Sequence, residues 1–197
     1  MDELKEQIAA VAARMVAEKG LEAGPAKRRA LKEMGLSAHT ALPNNALVEE
    51  QVALYIAEFC SDTQPAELQV LRRIALQWME RLAAFRPHLT GPVWHATATR
   101  MSDITLQLFC DDPKSAEICL IDMGVRYEPH TVMGLQGEPV DALYVQVRCV
   151  ELQAYVGLRL VVYDFDDLRG LPRSDALGRR PRGDLAAVRQ LVHDPIP

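Results

Sequence analysis

The spacing of apolar residues in this chain changes once, and that change sets its fold class. Through residue 86 they recur every three or four positions, the repeat of a helix with one buried stripe. From 93 to 163 they alternate, the repeat of a strand with one buried face. A helical N-terminal part followed by a small mixed sheet with one packed helix is an α+β layout. The chain is read as a helical part (1–86), an α/β core (87–165), and a tail (166–197).

In the helical part, Ile8, Val11, Ala12, Met15 and Val16 form the stripe of a first helix that Gly20 stops. Pro25 fits the first position of a second helix, ended by Gly35. Asn44 or Asn45 caps a third, whose buried stripe is Val48, Val52, Tyr55, Ile56 and Phe59. Pro65 opens a fourth, with Leu68, Leu71, Ala75, Trp78, Met79 and Leu82 on one face, and Arg86-Pro87 closes it.

The alternating part predicts strands near 93–96, 103–110, 126–132, 142–150 and 157–163. A helix over 113–123 starts at Pro113, stops at Gly124 and turns Ala116, Ile118, Cys119 and Ile121 or Met123 inward. Gly134-Leu-Gln-Gly137 has the composition of a hairpin connection. In the tail, Arg169, Arg173, Arg179, Arg180 and Arg182 face a single acid, Asp175, so residues 168–183 read as a basic, weakly ordered segment before a short helix at 184–192.

A net charge of -5 gives no global field that would recruit nucleic acid or an anionic membrane, though local patches still bind phosphate. No apolar run reaches the ~18 residues of a membrane span, and the start, Met-Asp-Glu-Leu-Lys-Glu, has no apolar targeting core. Cys60, Cys110, Cys119 and Cys149 form no C-x-x-C pair and have no histidine at zinc-ligand spacing, so free thiols in a reducing, cytoplasmic compartment are expected. The chain lacks the phosphate-binding G-x-x-x-x-G-K-[ST], the dinucleotide G-x-G-x-x-G and the hydrolase G-x-S-x-G.

Strand parity isolates one polar face. On the second strand Ile104, Leu106, Leu108 and Cys110 share one side, and Asp103, Thr105 and Gln107 the other. On the fourth, Leu143, Val145, Val147 and Cys149 oppose Tyr144, Gln146 and Arg148; on the fifth, Leu158, Leu160 and Val162 oppose Arg159, Val161 and Tyr163. The residues Val93-Trp94-His95-Ala96-Thr97, followed by Ser102-Asp103-Ile104-Thr105-Leu106, resemble the core of polymerase-β-type nucleotidyltransferases over roughly 75–165. Those proteins carry a strand ending in Gly-Ser or Gly-Gly, a turn, and a strand bearing Asp-x-Asp or Asp-x-Glu. A third carboxylate comes from a later strand, and the acids hold two divalent ions around the triphosphate. The resemblance implies that Asp103 is the catalytic carboxylate, that Thr97, Asp103, Thr105, Gln107, Gln146 and Arg148 bind the ligand, and that magnesium is needed if transfer persists.

Three departures from that pattern set the expected activity. Ala96 stands in the glycine place, only five residues separate Thr97 from Asp103, and Thr105 replaces the second acid. Asp111 has the same parity as Asp103 but lies about 26 Å along the strand at ~3.3 Å per residue, too far to share an ion. One carboxylate and a hydroxyl carry too little charge for two hard cations, so no metal site is expected. Ordinary roles are also at hand. Asp103 suits a strand-opening turn, Asp112 before Pro113 suits a helix cap, His95 beside Trp94 suits packing, and Asp164 to Asp167 suits a strand end. Lys27, Arg28, Arg29 and Lys32 suit a solvated face. Two functions remain in view: a divergent nucleotidyltransferase-like protein that binds a nucleotide or nucleic-acid end with impaired or lost transfer, and a non-catalytic interaction or regulatory protein whose helices or arginine tail bind a protein partner.

Overall fold

The computed structural model describes residues 2–171, 174 and 178–193. Of the tail residues named above, Arg173 and Asp175 lie outside the described residues. The architecture is α+β, helices first and a mixed six-stranded sheet after. By compactness the chain forms two units, one of residues 1–68 with 97–102, the other of 69–96 with 103–197.

The first unit holds α1 (Asp2–Lys19), α2 (Ala23–Glu33) and α3 (Asn45–Phe59), and the start of α4 (Gln64–Arg81). Ile8, Ala12 and Met15 pack with Ala26, Ala30, Leu31, Val48, Val52 and Ile56 in one apolar cluster. Asn44 caps α3 by accepting from the Leu47 amide at 2.8 Å. Pro25 is the third residue of α2, which begins at Ala23. Phe59, expected in the buried stripe, is exposed and lies against Tyr55 with ring centroids 4.7 Å apart and planes tilted by 39°. Gly20 ends α1 at φ +65°, and a Cβ there would overlap the Met101 carbonyl. Residues 97–102 are tied into this unit. Thr99 Oγ1 donates to the Ala17 carbonyl at 2.8 Å, Gln64 Nε2 to the Ala98 carbonyl at 2.8 Å, and the Arg100 amide to Glu67 at 2.8 Å.

The second unit is built on β1 (His88–Thr90), β2 (Ile104–Cys110), β3 (Glu128–Met133), β4 (Pro139–Cys149), β5 (Ala154–Asp164) and β6 (Arg182–Gly183), in the order β3-β4-β5-β2-β1-β6. The β2–β5 pair is parallel and the other pairs are antiparallel. Leu89, Ile104, Leu106, Leu108, Leu158 and Leu160 are buried on one face, as alternation predicts. The 134–137 turn joins β3 to β4, with the Gly137 amide donating to the Gly134 carbonyl at 3.3 Å.

Three expectations are corrected here. Residues 93–96 form a turn, and the strand before β2 is His88–Thr90. Pro92 has no amide to give a ladder. The Val93 carbonyl accepts from buried Arg72, the His95 amide bonds the Gly91 carbonyl, and Ala96 is left-handed at φ 63°. The inward face of α5 (Lys114–Asp122) is Ala116 and Leu120, an i, i+4 pair, while Ile118 and Ile121 point outward. Asp112 fixes the helix start, its Oδ1 accepting from the Lys114 amide. The tail, expected to be weakly ordered up to residue 183, contributes β6 beside β1; α6 (Leu185–His193) follows, capped by Asp184 and tied by Arg189 to Glu80 at 3.0 Å. No described helix is long and apolar enough to cross a membrane.

Candidate functional site

The ladders align a polar row across the sheet. Arg182 pairs with Thr90, Thr90 with Thr105, Thr105 with Arg159, Arg159 with Tyr144, and Tyr144 with Glu128. Paired residues point the same way, so these six side chains share one face. Asp103 immediately precedes β2 on the same parity. On β4, Gln146 and Arg148 continue that face past Tyr144, and both are exposed.

Asp103 is held from two sides. Its Oδ2 lies 3.9 Å from Arg159 Nη2, an electrostatic contact between half-exposed groups. The Tyr144 hydroxyl hydrogen-bonds it as well; burial first, then the Asp103 charge, pushes that hydroxyl's pKa up, and Arg159 opposes the shift. Gly157 is the floor of this contact, since a Cβ there would overlap both the Asp103 carboxylate and the Tyr144 hydroxyl.

The expected ligand residues therefore divide. Asp103 and Thr105 meet Arg159 and Tyr144, while Gln146 and Arg148 lie on the same face one and two steps further along β4, opposite Gly157 and Tyr155. Gln107 has the right parity but is 5% exposed; it donates to Tyr163, whose hydroxyl is raised mainly by burial. The Gln107 Oε1 atom is buried with no hydrogen-bond partner among the described residues. Beside it His88 packs edge-on against Phe109, and burial holds its imidazole below the usual range. Thr97 is buried in the segment 97–102 of the first unit. Arg159, Tyr144 and Gly157 are the residues that sequence reasoning passed over. Parity had put Tyr144 and Arg159 on half-polar faces, but nothing in the order of the strands says that β5 lies against β2.

These residues do not fit a two-metal centre. No group of three His, Cys, Asp or Glu among the described residues is placed to hold an ion. The charge facing Asp103 and Thr105 is the Arg159 guanidinium, which opposes a cation there. Asp164 caps the 165–170 turn by accepting from the Asp166 amide, and Lys27, expected on a solvated face, is half-buried and donates to the Pro43 carbonyl and Asn45. A separate cavity of about 360 Å³ is lined by Glu138, Asp141, Asp164 and Asp167, which makes it hostile to phosphate. All four cysteines are free thiols. The chain matches no known family model and no curated protein.

Proposed function

We propose that this protein binds a phosphate-bearing ligand, a nucleotide or a nucleic-acid end, on the face formed by β2, β5 and β4, and that it does so without two-metal nucleotidyl transfer. The observation that carries this reading is Arg159, set opposite Thr105 and 3.9 Å from Asp103. Where transfer would require a second or third carboxylate, a guanidinium stands. Its planar fork of N–H donors matches phosphate oxygens and supplies in fixed form the positive charge that a metal would bring. Asp103, kept over Gly157 by Tyr144, orients that guanidinium.

The order of elements supports the kinship with nucleotidyltransferases. With β1 at His88–Thr90, the strand is followed directly by Gly91-Pro92, and eleven residues (92–102) separate that glycine from Asp103. Gly91 has φ +72°, the left-handed conformation that favours glycine. Pro92 removes one amide that could have donated to phosphate, in keeping with lost catalysis.

A thermal-shift series with nucleoside mono-, di- and triphosphates tests this. At a hundredfold excess over Kd, stabilisation of about 2.7 kcal/mol is expected. It persists in EDTA and is lost in Arg159→Gln. No shift with any nucleotide would refute the reading and favour a protein-interaction role.

A further inference from the structure

The polar face continues beyond the Arg159 position along the β4–β5 hairpin. Tyr155 and Arg148 are ladder partners, as are Gly157 and Gln146, and Arg159 and Tyr144. These pairs alternate with inward ones, so they are three successive steps on one face. Tyr155 lies about 13 Å from Arg159, four residues at ~3.3 Å each. Its ring is 66% exposed, although a tyrosine on a strand usually packs. Arg148 and Gln146 are exposed beside it. Of the nearby acids, Glu151 in the hairpin turn is paired with Arg73 at 2.9 Å and is thereby partly neutralised, while Glu128 lies opposite Tyr144 at the other end of the row.

We infer that this face binds single-stranded nucleic acid, with a phosphate at Arg159 and a base stacked on Tyr155. The inference rests on the phosphate-binding reading above and extends it. An aromatic ring offers a stacking platform that every base can use, arginines follow the backbone, and an amide such as Gln146 hydrogen-bonds a base edge. A step of about 6.6 Å between successive same-face residues, twice the ~3.3 Å rise, suits an extended strand with one nucleotide per step. A free mononucleotide occupies only part of this length. Charge complementarity selects the occupant, since the exposed Arg148 stands directly opposite the Tyr155 ring, and Asp103 at the far end of the row is offset by Arg159.

The test is fluorescence anisotropy of the full chain with labelled hexauridylate and hexathymidylate, each with and without a 5′-phosphate, competed with UMP. Expected results are hexamer binding at least tenfold tighter than UMP, and loss of that margin in Tyr155→Ala with UMP binding unchanged. Tyr155→Phe restores the margin, and Arg148→Gln flattens the salt dependence. Hexamers no tighter than UMP, or an indifferent Tyr155→Ala, would overturn the strand inference and leave the phosphate site standing. Failure of UMP and hexamers alike would overturn both.

Discussion

Arg159 stands opposite Thr105 on the parallel β2–β5 ladder, and its guanidinium reaches to 3.9 Å from the Asp103 carboxylate. A divalent ion needs converging anionic oxygens; the carboxylate beside Thr105 is Asp103, already matched to a cation. The same guanidinium is suited to phosphate. On the proposed reading, phosphate binding without metal chemistry would have one physical origin.

The tie between Gly20 and the Met101 carbonyl sets a contrast between two left-handed glycines. Gly35→Ala meets open space and is expected to cost about 1 kcal/mol for the backbone conformation alone. Gly20→Ala adds overlap with a backbone carbonyl and is expected to cost more than about 2 kcal/mol. Urea unfolding of the two variants checks this, and equal costs would contradict the packing of 97–102 on α1.

Ala96 holds φ 63°, a conformation that penalises a Cβ. Ala96→Gly is expected to raise stability by up to about 1 kcal/mol, the left-handed penalty less the entropy of glycine. Ala96→Val should lower it. A glycine variant less stable than the parent in denaturant titration would contradict the assigned turn.

Gln107 donates to Tyr163 but leaves Oε1 buried and unmatched. In Gln107→Met a hydrogen bond is lost and an orphan acceptor removed, so the two effects offset to within about 1 kcal/mol. Calorimetric unfolding measures the difference. A loss above about 2 kcal/mol would show that Oε1 is matched in solution.

Alkaline stability depends on Tyr55. Its hydroxyl donates to Glu18 at 2.6 Å, and that bond, more than burial, pushes its pKa from 10.0 up to about 12. Between those values the unfolded tyrosine loses its proton while the folded one keeps it. The contribution is therefore complete below about pH 10 and disappears as pH rises toward 12. Urea midpoints measured at pH 8.5 and 11 should fall further for the parent than for Tyr55→Phe. Identical falls would contradict the bond.

Much of this fold was legible because its signals are long. Helices α1, α3 and α4 each run fifteen or more residues, enough for a 3.6 repeat to stand out. β1 and β6 have three and two residues, too few to show alternation, so the expected strand falls on Val93-Trp94-His95-Ala96 in place of β1. On α5, nine residues left the helical phase open, and Ile118 was read inward in place of Leu120. At the site, parity placed Asp103, Thr105, Gln146 and Arg148 correctly on one face. What parity cannot supply is which strands are neighbours. The β2–β5 pairing joins residues more than fifty apart in the chain, and only that pairing reveals Arg159.

Calorimetric titration of a nucleotide into the parent and Arg159→Gln, in excess EDTA and again in magnesium, tests the central claim most directly. The account predicts parent affinity equal within about threefold in the two buffers, and at least a tenfold loss, about 1.4 kcal/mol, in Arg159→Gln. Binding that requires magnesium, or nucleotidyl transfer abolished by Asp103→Ala, would contradict it.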